Sequence, residues 1–327
     1  MDSPKLEILS LSECYRRYGV EVEVNATDGR SRPPGDNLPE GIHYIANVVC
    51  KALKVPVEVN KWHHTHHNNI WVVKPDSSCG LEVCSPVSKG TVGLRNICTA
   101  VDALAADSEI TADHRCSLHL HVEVADLSQE ELGSVLAYWV KCEPVFMDSM
   151  PASRKRNRYC QFLGVSELFE HDSEYTPHQL VTRLSTYKYY TVNTYHYSKG
   201  KRATIEFRIT ENSVCRDSVQ LRNWVRLVLH FVEMARQHPF PDKFQENDPW
   251  SSYLWLDPRD VFHLLGFLPG QYELSPEMEE TRTWFLNRLL DNATKTGLPG
   301  VWTEEARAVA FQQIVALAQE LKTGYHI

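Results

Sequence analysis

The chain has 327 residues, of which 43% are hydrophobic and 23% are charged, a composition typical of globular proteins. Its net charge of −8 argues against binding to a nucleic-acid backbone, which requires an excess of basic residues. We expect no membrane partner, no export signal and a cytoplasmic location, because no stretch approaches about 18 uncharged apolar residues and the nine cysteines form no C-x-x-C pair.

The first part of the chain predicts strands and helices in alternation. In "YGVEVEVNA" (18–26), Val20, Val22 and Val24 alternate with Glu21 and Glu23, which is typical of a half-buried strand. The segments that follow are a loop rich in proline and glycine (27–39), a helix (40–53), a strand, turn and strand (69–86) and a helix (91–106).

The second part opens with "CSLHLHVEVA" (116–125), another alternating strand. Ser128 and Glu131 have the spacing of a capping box and predict the start of a helix over 128–150. The remaining predictions are a basic loop at 151–164, a helix at 177–186, a strand–turn–strand at 187–213, and helices at about 217–237, 258–266, 276–293 and 303–322.

Four of these strand segments share one unusual pattern. The strands around Glu21, His119 and Glu206 each place apolar residues on one face and ionisable residues on the other. The segment "GLEVCS" adds Glu82 between Leu81 and Val83. An antiparallel sheet with helices packed on its apolar face would collect the ionisable groups on its open face.

Such a cluster of carboxylates predicts a bound cation. At about 4 Å and an effective dielectric near 20, each like-charged pair costs on the order of 4 kcal/mol. A set of mostly carboxylates with one or two imidazoles favours Mg²⁺ or Mn²⁺ over Zn²⁺. Arg208 lies on the same face as Glu206 and is suited to hold an anion such as phosphate.

Each motif also has a simpler interpretation. Alternating glutamates are usual on a solvated strand face, and Glu206 with Arg208 could form a cross-strand ion pair. A cupin or a TIM-barrel metallohydrolase would need a different spacing or position of its H-x-H motif. The cluster "WHHTHH" (62–67) is interpreted as a surface loop, although it could bind metal.

Five motifs, taken in their order along the chain, resemble the amidoligase family, within the glutamine synthetase and γ-glutamylcysteine synthetase superfamily. "GVEVEV" is similar to its G-x-E-x-E motif, "PDSSCGLEVCSP" to its D-x-S…G-x-E-x-x-S-P motif, and "ATIEFR" to its T-x-E-F-R motif. "CSLHLH" is similar to C-G-x-H-x-H with Ser117 in place of glycine, and "RKRNRYC" to R-x-x-N-x-Y-C. The resemblance spans residues 18–213, followed by a helical part at 216–327, and we expect a single catalytic domain over 1–327.

The resemblance implies an α+β fold, a curved antiparallel sheet with helices on its convex face that holds ATP and two or three Mg²⁺ ions, or Mn²⁺ in their place. It implies that ATP phosphorylates a small-molecule or peptide carboxylate and that an amine then attacks the acyl phosphate to form an amide. The metal ligands carried over from the family are Glu21, Glu23, Glu82, His119 and Glu206.

Further roles follow from the same resemblance. Arg208 would stabilise the transferring phosphoryl group and act in catalysis with Glu82 and Glu206. The candidates for contacts with the nucleotide, its phosphates or the substrate carboxylate are Arg154, Arg158, Lys188 and Asn193.

Some functional points stay open at the level of the sequence. His121 and Glu123 lie on the His119 face and could orient ligands, and Asp76 and Glu123 are candidates for a general base. The alternatives to a ligase are a phosphoryl-transferring kinase of the same fold and a non-catalytic nucleotide-binding module.

Overall fold

The computed structural model describes residues 16–27, 39–60, 69–155, 157–162, 177–240, 255–293 and 303–323. Within these ranges the fold is α+β, with a mixed sheet and a set of α-helices. The chain divides into two compact units. Of the described residues, those within 16–123 and 206–225 form the sheet unit, and those within 124–205 and 226–323 form the helical unit. That the chain acts as one catalytic domain stays a prediction.

The strands come mostly from the first half of the chain. They are β1 Arg17–Ala26, β2 Val57–Val59, β3 Trp71–Pro75, β4 Leu81–Cys84, β5 Ser88–Lys89, β6 Ile110–Thr111, β7 Leu118–Glu123, β8 Val192–Asn193 and β9 Thr204–Phe207. In the sheet unit the strand order is β2-β3-β4-β1-β7, and β9, whose last two residues belong to this unit, follows β7.

The helices are distributed along the whole described part of the chain. They are α1 Gly41–Leu53, α2 Gly90–Ala106, α3 Gln129–Asp148, α4 Ala152–Lys155, α5 Pro177–Leu184, α6 Tyr195–Ser198, α7 Ser218–Arg236, α8 Pro258–Leu264, α9 Pro276–Asn292 and α10 Glu304–Thr323. A short 3-10 helix covers Asn212–Arg216. Each described helix is too short or too polar to cross a bilayer.

The register of the sheet unit places apolar residues opposite one another. β1 pairs antiparallel with β4 and β7, so that Val22 lies opposite both Val83 and Leu118. Residues directly opposite in a sheet point to the same face, and these three side chains are at most 1% exposed. The helix α1 packs against β1, β2, β3 and α2. Burial of each such side chain contributes about 1.5–3 kcal/mol.

The helical unit has a core of aromatic side chains. Trp139 of α3 stacks on Phe146 with ring centres 4.7 Å apart, and both rings contact Phe231 edge-on. Phe262 stacks on Phe285. The predicted capping box of α3 is present, because the Ser128 hydroxyl accepts from the Glu131 amide while the Glu131 carboxylate accepts from the Ser128 amide.

Most predicted elements are confirmed to within a few residues, but the sheet differs in one respect. It is mixed rather than wholly antiparallel, because β2 runs parallel to β3. The three residues of β2 are too few to show an alternation, so the sequence did not predict this strand. The curvature of the sheet and the placement of helices on a convex face stay predictions.

Two other segments are corrected. The basic loop at 151–164 contains α4, whose Lys155 is buried and donates to Asp148 at 3.1 Å and to the Asn292 carbonyl at 3.2 Å. The segment 187–213 contains the helix α6 between its strands, where the Asn193 side chain accepts from the Tyr195 amide at the helix start. Residues 28–38 of the predicted loop and the 62–67 histidine cluster lie outside the described residues.

His230 on α7 makes the stability of the protein depend on pH. Its Nε2–H donates to the Leu265 carbonyl at 2.7 Å, and its ring stacks on Phe267. Burial outweighs this hydrogen bond and lowers the pKa of His230 from 6.5 to about 4. Between these values the unfolded chain binds a proton that the native state does not, so acid destabilises the native state.

We therefore expect the free energy of unfolding to fall by about 1.4 kcal/mol per pH unit through this group between about pH 6.5 and 4, and His230→Gln to remove that component. Urea unfolding of both proteins across this pH range measures it. The control is His43→Gln, because His43 is exposed on α1. Equal pH dependence of the wild type and His230→Gln would contradict the assignment.

Candidate active site

The sheet register that buries the valines brings the ionisable residues to the opposite face. On β1, Glu21 lies opposite His119 of β7, and Glu23 lies opposite Glu82 of β4. On β3, Lys74 lies opposite Glu82. Because opposite residues share a face, one surface of four adjacent strands carries all five groups. Glu206 of β9 joins them, since its carboxylate approaches His119.

His119 is the centre of this cluster. Its Nδ1 lies 3.4 Å from the Glu21 Oε2 and 3.4 Å from the Glu206 Oε1. Its Nε2 lies 3.6 Å from the Glu23 Oε1 and 2.9 Å from the Ser117 hydroxyl. One ligand atom each from Glu21, His119 and Glu206 lie within 4.8 Å of one another. The three groups are therefore close enough to share one metal ion.

A second set of ligands surrounds Glu23. Its Oε2 accepts hydrogen bonds from the Ser117 amide at 2.6 Å and from the Ser117 hydroxyl at 2.9 Å. One ligand atom each from Glu23, Asp76 and Cys79 also lie within 4.8 Å of one another. The turn between β3 and β4 fixes Asp76, whose Oδ1 accepts from the amides of Ser78 and Cys79. At the end of this turn Gly80 has a φ of +142°, a conformation that favours glycine.

Two basic side chains lie among the carboxylates. The Lys74 ammonium is 2.8 Å from Glu82 and 3.6 Å from Glu21. Burial disfavours its charge, but the two carboxylates outweigh burial and raise the pKa of Lys74. Arg208 forms an ion pair with Glu206, and its Nη1 lies 3.4 Å from the His119 Nδ1.

The carboxylates of the cluster have unequal proton affinities. Burial raises the pKa of Glu23 and outweighs the opposing effect of His119. Burial acts in the same direction on Glu206, but Arg208 and the two histidines outweigh it and lower its pKa to about 2. His121 and Lys74 similarly hold the pKa of Glu21 well below its usual value against the effect of burial. Glu21 and Glu206 are thus ionised and suited to bind a cation.

The donor chemistry of this cluster fits divalent metal ions. It holds five carboxyl groups against one lysine and one arginine, so that acidic side chains outnumber these two basic ones. These are Glu21, Glu23, Asp76, Glu82 and Glu206 against Lys74 and Arg208. Buried like charges repel strongly, and hard oxygen donors with an imidazole suit Mg²⁺ or Mn²⁺.

The predicted site residues fall into two sets. Those that the sheet unit brings together are Glu21, Glu23, Glu82, His119, Glu206 and Arg208. Those that belong to the helical unit are Arg154, Arg158, Lys188 and Asn193. The role of each residue stays a prediction.

His121 and Glu123, the candidates for orienting ligands on the His119 face, have different partners. The His121 Nε2 lies 3.3 Å from the Glu21 Oε1, so His121 can orient this carboxylate. The Glu123 carboxylate forms an ion pair with Arg17, and its role as a general base stays a prediction.

Lys74, Cys84 and the anchoring role of Ser117 were not predicted from the sequence. One ligand atom each from Cys84, Glu21 and Glu82 form a further group within 4.8 Å. Lys74 lies in the strand–turn–strand predicted at 69–86, and the observed register of this hairpin pairs it with Glu82. The length of the turn alone did not fix that register.

Comparison with known families agrees with this geometry. The family described as "Putative amidoligase enzyme" matches residues 47–232, which is more than half of the chain. The chain belongs to this amidoligase family. The resemblance inferred from the motifs is thereby confirmed, and membership supports a carboxylate–amine ligase in general. A comparison with curated protein sequences finds no match.

Two solved structures are similar over most of the chain, each at 10% identity. The bifunctional glutathione synthetase from Pasteurella multocida is matched over 94% of this chain and 53% of its own, with a TM-score of 0.48. The complex between the prokaryotic ubiquitin-like protein Pup and its ligase PafA is matched over 96% and 65%, with a TM-score of 0.34. This chain thus spans about half the length of the glutathione synthetase, and both TM-scores are too low to establish a shared fold.

The Ser117 hydroxyl offers a test of the anchoring of Glu23. We expect Ser117→Ala to lower the free energy of unfolding by about 1.5 kcal/mol, because a buried carboxylate loses one of its donors. Chemical denaturation measures the change. The control is Thr99→Ala on α2, an exposed hydroxyl that bonds within its own helix and should change stability by less than about 0.5 kcal/mol. Equal effects of the two substitutions would show that Ser117 does not anchor Glu23.

Proposed function

We propose that the chain is an ATP-dependent carboxylate–amine ligase that joins a small-molecule or peptide carboxylate to an amine through an acyl phosphate. The proposal depends on one observation above all, the group of Glu21, His119 and Glu206 beside the Arg208 guanidinium. Family membership supports amide-bond formation. The excess of buried carboxylates supports a substrate that arrives with divalent cations, as ATP does.

In this proposal two ligand groups hold the ions. Glu21, His119 and Glu206 form the first group, and Glu23 with Asp76 forms the second. The sequence also predicts Glu82 as a ligand of the two or three Mg²⁺ or Mn²⁺ ions, whereas in the structure its carboxylate pairs with the Lys74 ammonium. When bound, these ions neutralise the phosphates of ATP and favour phosphoryl transfer.

Arg208 is the residue proposed to contact the transferring phosphoryl group. It follows the last residue of β9 and pairs with Glu206, so its guanidinium lies beside the first ligand group. A guanidinium presents several N–H donors in a plane, which suits the oxygens of a phosphoryl group. Arg208 therefore stabilises the negative charge on these oxygens, and its ion pair with Glu206 holds the guanidinium in place.

The proposed reaction has two steps, phosphorylation of the carboxylate and attack by the amine. In the first, an oxygen of the substrate carboxylate attacks the γ-phosphorus of ATP, the bond to the β-phosphate oxygen breaks, and ADP leaves with the electron pair. In the second, the amine nitrogen attacks the acyl carbon, and inorganic phosphate leaves with the electrons of the C–O bond. The amine loses a proton to a base. Of the two candidates, Asp76 lies in the cluster, but the Ser78 donors outweigh its burial and lower its pKa, which weakens it as a base.

Four residues of the helical unit are the predicted contacts for phosphates or a substrate carboxylate. Arg158 is exposed with its guanidinium 4.7 Å from the Tyr159 ring centre, and Lys188 is exposed over the Tyr189 ring. Arg154 and Asn193 are buried. The two exposed cations are therefore better placed than the buried pair to contact phosphates or a substrate carboxylate.

Removal of Arg208 or Glu206 is expected to abolish ADP release. In a screen of amino-acid pairs with ATP and Mg²⁺, Arg208→Ala should lower the rate by at least about 10²–10³-fold, because a group that stabilises transition-state charge is lost. Glu206→Ala should do the same through loss of a metal ligand. Circular dichroism checks that both variants are folded. The controls are the exposed Arg95→Ala and Glu58→Ala, which should keep full activity.

Unchanged turnover of Arg208→Ala or Glu206→Ala would refute the assignment. Hydroxylamine in place of the amine distinguishes the ligase from a kinase. An acyl phosphate gives a hydroxamate, whereas a stable phosphorylated product would assign the chain to the kinases. Absence of metal-dependent ATP binding in calorimetry would identify a protein without this activity.

Divalent ions are expected to stabilise the folded protein. A site present only in the native state adds about 2.7 kcal/mol when the ion is at 100 times its dissociation constant. We expect Mn²⁺ to raise the melting temperature of the wild type, and EDTA to reverse the rise. The shift should be smaller in His119→Ala, which loses a ligand of one group, and kept in full in His43→Ala, whose histidine is exposed on α1. An equal shift in both variants would contradict a site at His119.

A further inference from the structure

The Lys74 ammonium lies between the carboxylates of Glu21 and Glu82 in the described cluster. It lies in the buried strand β3, opposite Glu82 across the β3–β4 pair, and is 5% exposed. Its Nζ is 2.8 Å from the Glu82 Oε2 and 3.6 Å from the Glu21 Oε1. The register of the strands thus fixes a positive charge at the junction of two acidic side chains.

The ammonium lies beside two members of a further group of potential metal ligands. One ligand atom each from Glu21, Glu82 and Cys84 lie within 4.8 Å of one another, a separation that a single divalent ion can bridge. A divalent ion and an ammonium cannot share this position, because like charges at such distances repel strongly.

The two carboxylate oxygens of Glu21 have different partners. The Oε1 lies near Lys74 and 3.3 Å from the His121 Nε2, whereas the Oε2 lies 3.4 Å from the His119 Nδ1. The first oxygen is thereby held by basic side chains. The second is directed to the group that Glu206 completes.

We propose that Lys74 is a positioning residue that keeps divalent ions out of the Glu21–Glu82–Cys84 group and directs Glu21 to the ion held with His119 and Glu206. The inference rests on the proposed metal-dependent function. It predicts that Glu82 pairs with Lys74 rather than binding an ion, and that the centre binds one ion fewer than its carboxylates alone would hold. Arg208 differs from Lys74, because it follows the last residue of β9 instead of lying within a strand.

The experiment counts bound ions without using activity. Wild type, Lys74→Met and Lys74→Arg are equilibrated with Mn²⁺, and bound ions are counted by electron paramagnetic resonance of the free metal. We expect Lys74→Met to bind one Mn²⁺ more than the wild type, because the methionine keeps the length of the side chain and removes its charge. The conservative variant Lys74→Arg should restore the wild-type number.

Cadmium gives a second measurement that a purely structural role of Lys74 would not change. With Lys74 removed, Cd²⁺ can reach the Cys84 sulphur and produce the ultraviolet charge-transfer band of a cadmium thiolate. We expect a gain of one such band in Lys74→Met over the wild type. The band should be absent from the double variant Lys74→Met/Cys84→Ser.

If Lys74→Met does not fold, Glu82→Gln in the presence of Lys74 decides the question. We expect Glu82→Gln to leave the number of bound Mn²⁺ ions unchanged. Loss of one ion in Glu82→Gln, or equal numbers in wild type and Lys74→Met, overturns the role of Lys74. A wild type that binds no Mn²⁺ would instead overturn the proposed metal-dependent function, so the two failures are distinguishable.

Discussion

The antiparallel pairing of β1 with β4 and β7 is the constraint on which the rest of the site depends. Along β1 the side chains alternate between two faces, so the register that buries Val20, Val22 and Val24 also turns Glu21 and Glu23 to the other face. A slip of one residue would reverse both sets. The hydrophobic core therefore specifies the geometry of the candidate active site, and the same free energy of burial that stabilises the fold holds the carboxylates together.

That geometry creates an electrostatic problem for the folded chain. Carboxylates buried side by side repel one another, and the chain offsets this repulsion with basic side chains from neighbouring strands. Lys74 pairs with Glu82 across β3 and β4, and Arg208, which follows β9, pairs with Glu206. His119 lies between acidic groups from β1 and β9. In the proposed function, ATP and its ions replace part of this compensation, so that substrate binding relieves repulsion within the fold.

The sequence predicted much of this arrangement, and the reason is physical. Alternation identified the strands that carry Glu21, His119 and Glu206, and the capping box located the start of α3, because both signals are local. Lys74 and Cys84 were missed because their partners depend on the register across a turn. The mixed character of the sheet was missed because β2 is too short to show a pattern. Non-local pairing thus accounts for what the sequence did not predict.

The most direct test of the proposed metal centre is the position of manganese in a crystal of the protein grown with Mn²⁺ and a non-hydrolysable ATP analogue. Anomalous scattering locates manganese without reference to activity. We expect a manganese peak within about 2.0–2.6 Å of Glu21 and Glu206 oxygens and a His119 nitrogen. Fully occupied nucleotide with no manganese peak touching these three residues would contradict the proposed centre.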